Sequence, residues 1–494
     1  MKGAYALKKG IFAMKAKTNL TMLCDFYELT MANGYFQTGL KDRICYFDVF
    51  YRSVPDQGGF AIAAGLAQVV EYIQELSFDE EDLTYLRGKG CFSEEFLDFL
   101  RTFRFTGDIW AVPEGTPVFP GEPLLTVRAS AIQAQFVETF LLLTLNHQSL
   151  IATKSNRIVR AAEGRPVAEF GSRRAQGSDG ALLGARASYI AGCSATACTM
   201  ADQRYGSPAT GTMAHSWVQM FPDEYTAFKT YCELYPDNAT LLVDTYNVLK
   251  SGVPNAIRAF QEVLLPRGIT KCGIRLDSGD LTYLSRKARE MLDAAGLTEC
   301  KIVASNALDE YIIRDLVRQG ARIDSFGVGE RLITSRSEPV FGGVYKLAAI
   351  EDDQGNIIPK IKISENPAKI TTPHFKKVYR LYDKESGNAF ADLLCVHDEV
   401  IDFTQPLELF DPDATWKRKT FTNFTARELL APIFVGGKRV YTSPTITEMR
   451  AYCAQQVDLL WDEVKRFENP HNYYVDLSQK LWDIKHDLLK RSGR

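Results

Sequence analysis

The segment GTMAHSW (211–217) sets His215, one of six histidines, beside a threonine, a serine and a tryptophan. A neutral imidazole is a nucleophile and a proton carrier, so His215 could carry chemistry. The alternative is a buried ring that satisfies one hydrogen bond. GIRLDSGDL (273–281) supplies Arg275, Asp277 and Asp280. Side chains alternate along a strand, so Arg275 and Asp277 share a face. A carboxylate at Asp277 could bind ribose hydroxyls, hold Mg²⁺ against phosphates or offset developing positive charge. Asp280 suits the N-cap of a helix starting at Leu281, with Mg²⁺ binding beside Asp277 as its other reading.

Three further segments suit anions. GSRRAQG (171–177) places Arg173 and Arg174 just past Glu169. A guanidinium fork binds phosphate or carboxylate bidentately, and charge left unpaired at a strand exit is costly. SNALDE (305–310) puts Ser305 and Asn306 ahead of a helix, where Asn306 could cap the helix, meet an anion, or both. In SFGVG (325–329), Gly327 and Gly329 would let the backbone approach an anion closely, unless they only make a tight turn.

These segments need a frame that brings them together, and the middle of the chain has one. Strands are expected at 166–173, 240–246, 271–278, 300–306 and 322–329. Helices are expected at 179–192, 254–268, 281–296 and 309–320. The 281–296 helix repeats Leu281, Leu284, Ala288, Met291, Leu292 and Ala295 at three- and four-residue spacing, giving one apolar stripe. Alternating apolar strands and helices imply a parallel sheet covered by helices, closed as a (β/α) barrel or open and doubly wound. The polar residues cluster at the carboxyl ends of successive strands, which favours the barrel, where those ends share one rim. Residues 105–130 read as a small β-rich layer and 133–162 as a long helical stretch. Residues 351–356 read as a turn, a β-rich segment follows to about 440, and helices at about 447–467 and 475–491 close the chain.

At 494 residues the chain is long enough for about three ordinary domains. Hydrophobic residues at 46% and charged residues at 24% are ordinary for a globular protein. A net charge of −3 gives no global field for nucleic acid or a membrane surface, so an anionic ligand must be held by local arginines. No apolar run is long enough to span a bilayer. Ten cysteines without a C-x-x-C pair point to reduced thiols and a cytoplasmic protein. Five lysines precede the first acidic residue, Asp25, and read as a basic arm.

The ordered series CDFYELTMANGYF, EFGSRRAQG, GTMAHSW, GIRLDSGDL, SNALDE, SFGVGERLITS and GGVYKLAAI, with NPHNYYVDLS near the end, resembles the nicotinate phosphoribosyltransferases. The motifs run from residue 24 to 478, so the resemblance covers nearly all of the chain. It implies an α/β fold: an N-terminal helical segment and open β sandwich (1–150), an incomplete (β/α) barrel with the active site (151–350), and a C-terminal α+β extension (351–494). It also implies a homodimer with shared active sites. The implied reaction joins nicotinate to 5-phosphoribosyl 1-diphosphate, giving nicotinate mononucleotide and diphosphate, coupled to ATP hydrolysis with Mg²⁺.

The resemblance gives His215 a role as a transient phosphohistidine. Tyr27 would stack on the pyridine from the neighbouring subunit. Thr212 and Arg275 would hold nicotinate, with Arg173 nearby. Thr334 and the 325–329 turn would take the ribose phosphate, and Glu169 and Asp277 would face the ribose. The rival readings are a nicotinamide or quinolinate phosphoribosyltransferase, a phosphoribosyl-binding barrel without turnover, and a phosphosugar isomerase or lyase. Nicotinamide enzymes are expected to carry an acid where Met213 stands, and an isomerase or lyase would want a barrel lysine or a carboxylate–histidine pair, with no lysine at any expected strand end.

Overall fold

The computed structural model describes residues 19–366 and 369–492. The basic arm lies outside them. The described chain opens with α1 (Phe26–Gln37), strands β1 (Ile44–Phe50), β2 (Asp108–Ala111) and β3 (Leu125–Ser130), and the long helix α2 (Glu138–Ala161).

The strand–helix series follows: β4 (Val167–Glu169), α3 (Gly177–Ile190), β5 (Ala195–Thr196), α4 (His215–Gln219), α5 (Glu224–Leu234), β6 (Thr240–Leu242), β7 (Gly273–Leu276), α6 (Leu281–Ala294), β8 (Lys301–Ser305), α7 (Glu310–Arg318) and β9 (Ser325–Val328). The five expected strands are present but shorter than the apolar runs that signalled them, and β5 is an additional short strand that the sequence did not mark. Local chemistry sets the boundaries. Asp280 caps α6 by accepting from the Tyr283 N–H, Asp309 caps α7, and Gly268 ends its helical stretch at φ 74°. The six strands pair in the order β5–β4–β9–β8–β7–β6, all parallel, and the two end strands do not pair with each other. Their buried face carries Ile274, Leu276 and Ile302 against Ala288 and Leu292 of α6.

The chain then adds β10 (Val344–Glu351), β11 (Ile357–Pro359), β12 (Lys376–Asp383), β13 (Ala389–Val396), β14 (Phe424–Glu428), β15 (Ala431–Val435), β16 (Lys438–Arg439), α8 (Ile446–Asp458), β17 (Tyr474–Leu477) and α9 (Gln479–Ser492). A seven-stranded antiparallel sheet has the order β11–β10–β1–β3–β2–β15–β16, so strands from distant parts of the chain share it. A four-stranded sheet runs β14–β12–β13–β17. The expected helix at 475–491 therefore begins as a strand, because Tyr474–Leu477 pairs in parallel with β13. The helix expected to reach 467 stops at Asp458. Leu460 and Val464 still bury, in a non-helical turn against the same core as Ile313 and Phe326.

Buried ion pairs reinforce this architecture. The Arg186 guanidinium on α3 grips both Glu114 oxygens at 2.7 and 2.8 Å, and Glu114 also accepts from the Gly65 and Ala67 amides. Lys154 on α2 donates to Asp56, Glu310 and Ser337 at 2.8–2.9 Å. Arg380 binds Asp392 through two nitrogens. The ten cysteines are free thiols. Among the described residues no helix is long and apolar enough to cross a membrane.

Candidate active site

Parallel strands bring their carboxyl ends to one edge, and that edge holds a cavity of about 480 Å³. Arg173, Thr212, His215, Arg275, Asp277, Ser305, Asn306, Gly327 and Gly329 all line it, so nine candidate residues scattered over about 150 positions converge. At its centre Arg275 leaves β7 with each guanidinium nitrogen anchored once: Nε to Ser305 Oγ at 2.7 Å, Nη1 to Thr212 Oγ1 at 3.0 Å, and Nη2 to Asp277 Oδ1 at 2.7 Å. Ser305 Oγ also donates to Asp277 Oδ1. The planar fork is thus locked in one orientation, which a flexible ammonium could not match.

His215 begins α4, with Nδ1 3.1 Å from Thr245 Oγ1 and Nε2 4.0 Å from Asp277 Oδ2. Its side chain is 43% exposed, so the buried-ring reading of this histidine does not hold. Asn306 (φ 82°) and Ala307 (φ 44°) both adopt the left-handed conformation at the cavity edge. Such strain is held only where the surroundings enforce it. Gly327 has a packing reason to be glycine: a Cβ there would come within 2.5 Å of the Phe170 ring.

Four candidates sit elsewhere. Glu169 is buried beneath the 171–177 loop, accepting from Gly171 N–H and Thr196 Oγ1. Burial raises its carboxyl above the usual range, and those two donors partly oppose the shift. Asp280 does not line the cavity, and its carboxylate is the α6 cap. Thr334 lies in an adjoining shallow pocket with Arg174, Glu330 and Arg336, its hydroxyl bonded to Glu330 O at 2.7 Å. Tyr27 lies on α1, outside the cavity of its own chain, with its phenol raised by burial and by Glu138.

Other lining residues were not singled out from the sequence. Phe170 offers an aromatic face, with the Arg275 guanidinium 5.9 Å from the ring centroid. Its place between Glu169 and Gly171 at a strand end was the available signal. Arg331 and Arg336 add two more cations, so five arginines face two acids, Asp277 and Glu330. Arg173 makes no ion pair with any described residue, whereas Arg174 and Arg336 approach Glu330 at 3.9 and 3.3 Å and Arg331 pairs with Asp309. Asp244, beyond β6, accepts from the Asp277 N–H at 3.1 Å and Ser278 Oγ at 2.5 Å, bracing the 277–280 turn. Met213 also borders the cavity; its side chain is buried in the cluster with Val218 and Phe228, and its carbonyl accepts from Arg275. Among the described residues no group of three or more His, Cys, Asp or Glu side chains could hold a metal ion.

Comparison with known proteins gives this geometry a family. Residues 22–146 match the nicotinate phosphoribosyltransferase N-terminal domain, and residues 375–485 match the C-terminal domain. The nicotinate phosphoribosyltransferase of Bacillus subtilis (strain 168) is 44% identical over 467 residues, 94% of each chain. The chain belongs to the nicotinate phosphoribosyltransferase family. The nicotinate phosphoribosyltransferase of Homo sapiens is 30% identical over 94% of this chain and 96% of its own. The crystal structure of human nicotinic acid phosphoribosyltransferase aligns with a TM-score of 0.82 and 28% identity, covering 94% of this chain and 100% of that one. The two matched nicotinate phosphoribosyltransferase domains flank residues 147–374, which carry the whole rim of the cavity.

Proposed function

We propose that the protein transfers the phosphoribosyl group of 5-phosphoribosyl 1-diphosphate to nicotinate, giving nicotinate mononucleotide and diphosphate. The observation that carries this reading is the arginine-lined cavity, with Arg275, Asp277 and His215 on one rim, in a chain of this family. Nicotinate is a flat aromatic acid. Phe170 supplies a ring for it to lie against, and Arg275 with Thr212 supplies donors for its carboxylate. Selection against the neutral amide then rests on Arg275 and its fixed partners.

The pyridine nitrogen attacks the anomeric carbon, the bond to the diphosphate oxygen breaks, and the electron pair leaves on diphosphate. Positive charge builds on the ribose ring in between. The Asp277 carboxylate is the anion placed to offset it. Arg173 and the 325–329 turn, with Arg336 and Thr334 beside it, would bind the phosphates. Glu169 supports this arrangement from below by fixing the Gly171 amide. A magnesium ion would ride on the phosphates and water, with Asp277 as its protein carboxylate.

In the ATP-coupled reading, an Nδ1 proton of His215 donated to Thr245 Oγ1, 3.1 Å away, would leave the lone pair of Nε2 free. Nε2 takes the γ-phosphoryl group as its bond to ADP breaks. Water later releases phosphate.

The six parallel strands, unpaired at both ends, fit an incomplete barrel, with the seven-stranded sheet as the sandwich layer and residues after 351 as an extension. A homodimer with shared sites fits α1, which exposes Phe26, Tyr27 and Met31 beside Leu20 and Leu23. Tyr27 would then serve the partner's cavity. The experiment is a side-by-side measurement of kcat/KM for nicotinate, nicotinamide and quinolinate. Preference for nicotinate supports the proposal, and equal use of nicotinamide refutes it.

A further inference from the structure

The two strands that meet at Arg275 and Ser305 also meet at their other ends, through sulfur. In the parallel pairing of β7 and β8, Lys301 is level with Gly273, and the Lys301 N–H donates to Cys272 O at 2.9 Å. Cys272 and Cys300, one residue earlier on each strand, are therefore level with each other. Adjacent strands lie about 4.8 Å apart, within the roughly 4.4–6.8 Å between Cα atoms that a disulfide spans. Both side chains point to the helix-covered face, in phase with Ile274 and Leu276 and opposite to Arg275. Cys272 is half-buried and Cys300 is 1% exposed, so an oxidant meets Cys272 first.

We propose that Cys272 and Cys300 are a redox-sensitive dithiol that closes to a reversible cross-strand disulfide on meeting a small-molecule disulfide such as oxidised glutathione. The Cys272 thiolate attacks one sulfur of that disulfide and expels a glutathione thiolate. The Cys300 thiol, giving up its proton, then attacks Cys272 Sγ and expels the second glutathione. The two protein thiols lose two electrons and two protons, and the glutathione disulfide gains them as two thiols. The surroundings favour this order. A hydrogen bond from Cys300 holds the Cys272 thiol below its ordinary range, with the Arg289 guanidinium acting in the same direction. The same contact and burial hold Cys300 as the thiol. A thiolate stabilised beside a cation attacks, and its protonated neighbour resolves the adduct. The new bond would tie β7 to β8 three residues before Arg275, at the opposite end of the strands from the cavity.

The test uses the full wild-type chain, incubated with oxidised glutathione, alkylated with N-ethylmaleimide and digested with trypsin without reduction. The expected product is the peptide Cys272–Arg275 joined to Glu290–Lys301, with the loss of two hydrogens and release by dithiothreitol. An oxidised sample should also unfold at a higher temperature than the same sample after dithiothreitol. Three results would overturn the proposal: maleimide on both peptides, glutathione retained on Cys272, or Cys272 joined to the neighbouring buried Cys232. A Cys300→Ser variant should instead keep glutathione on Cys272. If that variant does not fold, the wild-type peptides still decide the matter.

Discussion

Replacing Arg275 by alanine removes a guanidinium held by Ser305 Oγ at 2.7 Å, Thr212 Oγ1 at 3.0 Å and Asp277 Oδ1 at 2.7 Å. The nicotinate carboxylate would then keep the Thr212 hydroxyl but lose its cation. A hydrogen bond to a charged group contributes about 1.5–3 kcal/mol. At about 1.4 kcal/mol per decade of rate, kcat/KM for nicotinate should fall roughly tenfold to a hundredfold or more. Arg275→Lys keeps a charge but not the fork that fits three partners, so it should recover little of the loss. The assay is initial-rate formation of nicotinate mononucleotide at varied nicotinate and saturating 5-phosphoribosyl 1-diphosphate, with circular dichroism to confirm folding. A folded Arg275→Ala enzyme with kcat/KM within about threefold of wild type, a change below about 1 kcal/mol, would refute the assignment of Arg275 to the carboxylate.

Other perturbations have equally definite outcomes. After incubation with labelled ATP, wild-type protein should carry an acid-labile, base-stable phosphoryl group that His215→Ala lacks, and ATP stimulation should be absent in the variant. Gly327→Ala places a methyl 2.5 Å from the Phe170 ring, and overpacking of this kind costs about 1–3 kcal/mol, read as a lower unfolding midpoint in urea and a higher KM. Arg186→Ala leaves Glu114 buried without its cation, which should destabilise the fold by about 3–5 kcal/mol in denaturant titration. Burial, reinforced by Asp411, raises the Asp476 carboxyl from 3.8 to about 7. The folded state therefore binds its proton more tightly than the unfolded state. The stability this gives is full in acid and declines as pH rises through about 7. In Asp476→Asn that decline in melting temperature should flatten.

The catalytic half of the fold is readable because its signals are local. Apolar runs of four or five residues, helix stripes at three- and four-residue spacing, and the Asp280 cap place five of the six parallel strands and the helices at 177–190, 281–294 and 310–318 within a few positions. The two-residue β5 and the helices α4 and α5 carry no such signal, and the cap of α7 is Asp309 and not Asn306. With the strands parallel, Arg275, Asp277 and Ser305 must share one edge. What escapes is non-local. Nothing near residues 344–351 announces a partner at 44–50, because strand pairing over such separations leaves no periodicity in either segment. The buried pair Arg186–Glu114 joins positions 72 apart, and in the sequence each is an ordinary charge. Phe170 reads as a core aromatic, and only the packing of its ring on Gly327 gives it a place at the site. In the C-terminal region Leu460 and Val464 have helical spacing yet bury in a turn, since burial alone does not require a helix.

The most direct test incubates the purified protein with labelled nicotinate, 5-phosphoribosyl 1-diphosphate, Mg²⁺ and ATP, and follows the label by chromatography while leaving out one component at a time. Labelled nicotinate mononucleotide should appear with diphosphate in equal amounts, depend strictly on 5-phosphoribosyl 1-diphosphate, and form more slowly without ATP. Label that stays in nicotinate when every component is present would contradict the account.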